Sequence, residues 1–201
     1  MARPQSIDDE QILAAAREVF LERGPMATTL EVARRAGVSE GTIFKRFATK
    51  DELLVESMRL CGPALSADRT VELLAMPTLR DALEALVQEL LAFYRTVMPR
   101  MALMASCHLP PSKFFAAHDE PPPVQNIKAL MLYVRAEQRA GRVRDCDPEV
   151  VARSLVGATM SYCFAEQHGI NNWLPMADST YVRGIVDQIL NGVTPRHEGE
   201  L

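Results

Sequence analysis

An all-α fold of about nine helices is predicted by three observations. Apolar residues recur at steps of three and four over most of the 201-residue chain, the period of a helix with one buried face. Val, Ile and Thr nowhere alternate with polar residues over a useful length, and no Asn-Gly or Asp-Gly hairpin signal occurs. Capping residues and Gly or Pro stops punctuate the periodic stretches.

The elements follow in order. The first helix is expected from Ile7 to Arg23, with Ser6 as N-cap and Asp8, Asp9 and Glu10 at the positive end of its dipole. Ile12, Ala15, Ala16, Val19 and Phe20 mark its buried face, and Gly24-Pro25 ends it. Thr28 with Glu31 is a capping box opening a short helix to Ala36, and Gly37 suits the positive φ of a helix C-terminus. Ser39 caps a further short helix that holds Gly41, Ile43, Phe44 and Phe47. Thr49 with Glu52 opens the next helix, through Leu53, Leu54 and Met58 toward Leu65. Leu79, Leu83, Leu86, Leu90, Phe93 and Val97 then define a long amphipathic helix, expected to stop at Pro99. Residues 99–123 hold six of the thirteen prolines, so a short helix from Met101 to Cys107 within loop is expected. Helices from Val124 to Ala140, from Asp147-Pro148 to His168, and from Asp178 to Asn191 complete the chain.

Composition bounds the function. The chain is 48% hydrophobic and 24% charged, so global disorder is excluded. No stretch reaches the ~20 uninterrupted apolar residues of a membrane helix. No apolar signal core stands at the N-terminus, so a cytoplasmic protein is expected. Four cysteines without a C-x-x-C pair speak for reduced thiols and against a zinc ribbon. The net charge of −4 makes no case for nucleic acid until it is resolved locally.

Between Thr28 and Lys50 the basic residues are Arg34, Arg35, Lys45, Arg46 and Lys50, against Glu31 and Glu40, a local +3. Two short helices joined by a glycine turn are the pattern of helix-turn-helix. Ile43 and Phe47, four apart, suit a packing face, and Thr42, Lys45 and Arg46 share the other side, with groups able to bind base edges or phosphates. Gly41 puts no side chain between backbone and DNA. A solvated charged face on a helical hairpin is the rival reading of the same pattern.

The run Gln11 to Phe20, Gly24, Thr28-Thr29, Val32-Ala33, Ala36-Gly37-Val38-Ser39, Gly41-Thr42, Phe44, Phe47, Lys50 and Leu53 resembles, in register across three helices, the N-terminal domain of TetR-family regulators. The resemblance covers roughly residues 8–55. It implies an all-α homodimer with a three-helix helix-turn-helix DNA-binding domain, placed here at residues 1–52. A helical-bundle domain for effector binding and dimerisation would follow at 53–201. It implies recognition-helix roles near base edges for Thr42 and Lys45, with Glu40, Gly41 and Arg46 alongside, and backbone contacts for Thr29, Phe44 and Lys50. Thr28, Arg34 and Ser39 complete the expected DNA-binding set. Where the family carries Tyr, this chain carries Phe44, so one hydroxyl bond to phosphate is absent.

A regulator of this kind needs a second site whose ligand biases the spacing of two reading heads. Phe93, Tyr94, Met98, Met101, Met104, His108, Phe114, Tyr133, Met160 and Phe164 are the candidate effector-pocket residues, with Cys107, Phe115, Met131 and Cys163 nearby in sequence. Met and aromatic side chains suit an apolar or aromatic effector and equally suit a core. Val151, Leu155, Ala158 and Tyr162, with Val182, Ile185, Val186 and Ile189 on the last helix, are the candidate dimer face. Cys107-His108 is an isolated pair, so no metal or other cofactor is expected.

The expected function is a ligand-responsive transcriptional regulator, in the first instance a repressor. It would bind a pseudopalindromic DNA operator as a homodimer and be released by an apolar small molecule. An enzyme is not expected, because no Ser/His/Asp order, carboxylate pair or phosphate loop is visible. The alternatives are a small-molecule-modifying enzyme in the C-terminal part and a helical adaptor that binds protein.

Overall fold

The computed structural model describes residues 8–59, 64–110, 112–113 and 120–193. Ser6, Ile7, Cys61, Phe114 and Phe115 lie outside them. Among the described residues there are helices and no strands. The helices are α1 (Asp9–Arg23), α2 (Thr29–Ala36), α3 (Glu40–Phe44), α4 (Lys50–Met58), α5 (Ala67–Leu74), α6 (Leu79–Ser106), α7 (Pro122–Arg139), α8 (Pro148–Gln167) and α9 (Asp178–Val193), with 3-10 turns at Gly24–Met26 and Ile170–Asn172.

The contacts divide the chain into two compact units, Met1–Cys61 with Pro99–Asp119, and Gly62–Met98 with Glu120–Leu201. In the first, α1 packs on α2 and α4, and α2 on α3. Its core is Ile12, Ala15, Ala16, Val19, Phe20, Val32, Ile43, Leu53, Leu54 and Met58, which includes the apolar positions read from the periodicity of residues 7–23 and those of α4. The α4 helix spans the boundary expected at residues 52 and 53. In the second unit, α8 packs on α7, and α5 on α7.

Several element boundaries differ from the expectation. Asp8, not Ser6, occupies the N-cap position of α1, which starts at Asp9. The α4 helix ends at Met58, and a separate helix α5 follows, capped by Ser66, whose hydroxyl accepts from the Arg69 N–H at 3.2 Å. The α6 helix does not stop at Pro99 but carries it in its interior and absorbs the short helix expected from Met101. A mid-helix proline costs about 3 kcal/mol. Burial of Val97, Leu103 and Met104 on either side, at about 1.5–3 kcal/mol for each side chain, exceeds that cost.

Among the described residues, one charged group is fully buried. The Glu137 carboxylate in α7 is 0% exposed and takes both arms of Arg142, at 2.6 and 2.8 Å. The same guanidinium donates to the carbonyls of Met76 and Leu74 at 2.9 and 3.0 Å. It thereby pins the loop after α5 to the loop after α7. A buried ion pair is tolerated when its remaining donors are satisfied in this way.

Candidate nucleic-acid interface and effector site

The reading head is assembled by its caps. The Thr28 hydroxyl oxygen accepts from the Glu31 N–H at 3.2 Å, while the Glu31 carboxylate accepts from the Thr28 N–H at 2.9 Å. These bonds satisfy donors that the first turn of α2 would otherwise leave open, and they hold the Glu31 carboxyl below the usual carboxylate range. Gly37 ends α2 at φ 70°, ψ 29°, the left-handed region where a side chain is strained. Ser39 then accepts from the Thr42 N–H at 3.2 Å and opens α3.

In α3, Ile43 is fully buried, and Phe47 just beyond it is buried too. That is the packing face expected from their four-residue spacing. Gly41 and Lys45 are exposed and Thr42 is half-buried. A Cβ on Gly41 would meet only Ser39 Oγ, at 3.8 Å, so the approach to the backbone is open. No described residue pairs with Lys45. Regular α-helix stops at Phe44, earlier than expected, and the chain continues through a turn held by Lys45 N–H to Gly41 and Phe47 N–H to Ile43.

Other expected contact residues are engaged within the protein. Thr29 is 9% exposed, and its hydroxyl donates to the Glu40 carboxylate at 2.5 Å, tying α2 to α3. Arg46 forms an ion pair with Asp9 at 2.9 Å. The Lys50 ammonium donates to the Pro25 carbonyl at 2.9 Å. Arg34 shares a groove of about 460 Å³ with Val19, Glu22, Arg23, Glu31 and Arg35. Arg35 is bound to Glu18 at 3.0 Å and to Glu22 at 2.9 and 3.1 Å, bonds that raise its pKa and lower that of Glu22. The local charge of +3 is therefore partly neutralised from α1, a term that a count within residues 28–50 omits. Phe44 is 47% exposed, its ring on the outer side of the head.

The candidate effector residues do not form one set. Phe93, Tyr94, Met98, Tyr133, Met160 and Phe164 belong to the second unit, whereas Met101, Met104 and His108 group with the first. Tyr94 and Tyr133 are buried. Phe164 is half exposed and stacks on His168 at 4.0 Å, so it lines no interior. His108 is exposed and adopts φ 56° as it ends α6. Cys163 is buried with its pKa pushed up to about 11 by desolvation, an unreactive thiol. No group of three or more His, Cys, Asp or Glu suited to a metal occurs among the described residues.

Sequence reasoning missed Asn126 and Glu137, both buried on α7. Polar residues at helical spacing on an otherwise apolar face were the available signal. The candidate dimer residues Val151, Leu155, Tyr162, Val182 and Val186 are buried within the chain itself, and Ala158, Ile185 and Ile189 are half-buried. Tyr162 stacks on Tyr181 at 4.2 Å, whose hydroxyl donates to the Ala158 carbonyl at 2.6 Å, joining α8 to α9. The exposed apolar residues of this region are Val150, Phe164, Ile170, Trp173, Leu174 and Met176.

The capped α2, the glycine turn and a short α3 with one face buried and one face open define a helix-turn-helix protein. Residues 12–56 match the family model of bacterial regulatory proteins, tetR family. The matched residues are those whose register across three helices carries the resemblance. Over 44 residues, 21% of the chain, it is 48% identical to a helix-turn-helix-type transcriptional repressor of Mycobacterium tuberculosis. The match spans 23% of that relative, so less than a quarter of its length. Over the whole fold, the chain is similar to a Mesorhizobium loti protein named as a tetR-family regulator, with TM-score 0.75 at 18% identity, covering 96% of this chain and all of that one. It is also similar to the flavonoid-responsive regulator FrrA, with TM-score 0.57 at 18% identity, covering 94% and 97% of the two chains. These two likenesses establish the fold.

Proposed function

We propose that this protein is a ligand-responsive transcriptional repressor in the cytoplasm and not an enzyme. It binds a pseudopalindromic operator as a homodimer through its N-terminal head, residues 1–52. Residues 53–201 serve the effector and the dimer. The observation that carries this reading is the two-faced α3 segment, with Ile43 and Phe47 buried, Gly41 and Lys45 exposed and Thr42 half-buried beside them. A recognition helix needs that division. Thr42 and Lys45 contact base edges, and Ser39, Gly41, Phe44 and Arg46 flank them. Thr28 and Lys50 meet the backbone, and Arg34 adds charge beside it. Thr29 and Glu40 act by holding α2 to α3.

The named responsiveness of FrrA to flavonoids supports an aromatic effector here as well, and a repressor among the N-terminal relatives supports that sign of regulation. The dimer is proposed through α8 and α9, since exposed Val150 and Phe164 lie on α8 and exposed Trp173 and Leu174 in the connection between the two helices. Footprinting of the DNA that flanks the protein's own gene tests the reading. A protected pair of half-sites about one helical turn apart (~34–36 Å) is expected. Absence of protection on any flanking duplex at low salt overturns it.

A further inference from the structure

The polar side chains from Ser39 to Thr42 are each engaged by a neighbour in the chain. The Thr29 hydroxyl donates to the Glu40 carboxylate at 2.5 Å, which draws that carboxylate toward α2. The Ser39 hydroxyl oxygen accepts from the Thr42 N–H at 3.2 Å. The Ser39 and Thr42 hydroxyl oxygens lie 2.8 Å apart, a hydrogen bond in which either can be the donor. Gly41 stands between them without a side chain, and a Cβ there would meet only Ser39 Oγ, at 3.8 Å. The Thr42 Cβ carries a methyl beside the hydroxyl, and χ1 settles in staggered wells. With Oγ1 held on Ser39, the methyl takes another well, about 120° round the Cα–Cβ bond. What these residues offer a base edge is thus a methyl group beside a bare glycine backbone.

We infer that Thr42 reads a thymine in each half-site by contact of its methyl with the thymine C5 methyl, and not through its hydroxyl. This rests on the reading of α3 as the element that faces DNA. In the major groove thymine is the base that presents a methyl, and an apolar contact is how it is told from cytosine. The same geometry disfavours the other bases at this position. Cytosine offers an amino donor and wants a carboxylate, but Glu40 is held by Thr29. Adenine wants a side-chain amide, and none stands between Ser39 and Lys45. Guanine wants a cation, which Lys45, exposed three residues further on, supplies at a different base.

Deoxyuridine lacks only the C5 methyl of thymidine and pairs in the same way, so it isolates the contact. Footprinting locates the operator. Each thymine of the protected half-sites is then replaced in turn, symmetrically in both, and binding of the full chain is measured by fluorescence anisotropy. One symmetric pair should weaken binding by about fourfold for each half-site, the effect of leaving one methyl group unburied. Thr42→Ser keeps the hydroxyl that meets Ser39 and loses the methyl, so it should bind the thymine and deoxyuridine duplexes equally. Thr42→Val keeps a methyl and loses the hydroxyl, so it should retain the parent's ratio whatever its overall affinity. The ratio within one variant cancels any general loss of binding, and if Thr42→Val fails to fold, the parent and Thr42→Ser carry the test. No sensitive thymine in the parent, a sensitivity that persists in Thr42→Ser, or a ratio lost in folded Thr42→Val overturns the inference, while the footprint still supports a DNA-binding regulator. Absence of any footprint overturns the regulator reading itself and the inference with it.

Discussion

Lys45→Gln and Arg35→Gln remove the same charge from the same small domain, yet they should act differently on DNA. Arg35 is held by Glu18 and Glu22 across the α1–α2 contact, three bonds between 2.9 and 3.1 Å. Its charge is already offset before DNA arrives. Lys45 is exposed and pairs with no described residue. A lysine at the duplex displaces counterions, and log K falls with log salt by ~0.9 for each phosphate neutralised. In the proposed homodimer two such lysines would meet one duplex, so Lys45→Gln should reduce the salt slope by about 1.8. Arg35→Gln should leave the slope unchanged and cost only a little stability, since its pairs are exposed. Fluorescence anisotropy of a labelled duplex across a salt series measures both. Because this term is independent of sequence, any generic duplex serves. An unchanged slope in Lys45→Gln, or an equal reduction in Arg35→Gln, refutes the assignment of α3 as the DNA-facing element.

Three further outcomes are expected. Thr29→Val removes the bond to Glu40 that joins α2 to α3. It should cost about 1–2 kcal/mol, the range for a bond to a partly solvated carboxylate, read as a lower thermal midpoint and a uniform loss of DNA affinity. Phe44→Tyr places a hydroxyl on a ring that is already 47% exposed, and DNA binding measured by anisotropy should tighten severalfold, about 0.5–1.5 kcal/mol for one added hydrogen bond. Asp178 accepts from Arg95 and from the Tyr162 hydroxyl, which holds its pKa below the ordinary value. A carboxyl with a depressed folded pKa stabilises the protein above its unfolded pKa, and the stabilisation fades as pH falls through the folded one. The gap in thermal midpoint between the parent and Asp178→Asn should therefore be widest at neutral pH and close on acidification below the usual Asp range.

The helices of the head were legible because each is delimited by local chemistry. Thr28 with Glu31, Gly37, Ser39 and Thr49 act on the residues next to them, and the sequence displays them directly. The long-range pairs were not legible. Thr29 looked like a phosphate ligand by position, and only the fold brings Glu40 to it across the turn. Arg35 looked like one of five available cations, and only the packing of α1 supplies Glu18 and Glu22. Pro99 reads as a stop under local rules, but tertiary burial of the apolar residues on both sides carries α6 through it. Among the candidate dimer residues, an apolar stripe at helical spacing is the same whether a neighbouring helix or a second chain covers it. Leu155 and Val186 are covered from within. Tyr94 and Tyr133, read as soft interior residues, are buried. Asn126 was passed over, although its spacing from Leu130 and Tyr133 places it on the buried face of α7.

The most direct test of the account is operator discrimination by the double substitution Thr42→Ala with Lys45→Ala. The operator is first located by footprinting, and its affinity is compared with that of a scrambled duplex at one salt concentration. The parent should prefer the operator by a factor on the order of 10³ or more. The variant should bind both duplexes nearly equally while remaining dimeric by sedimentation. An undiminished preference in a folded, dimeric variant would contradict the claim that α3 and its following turn read the DNA.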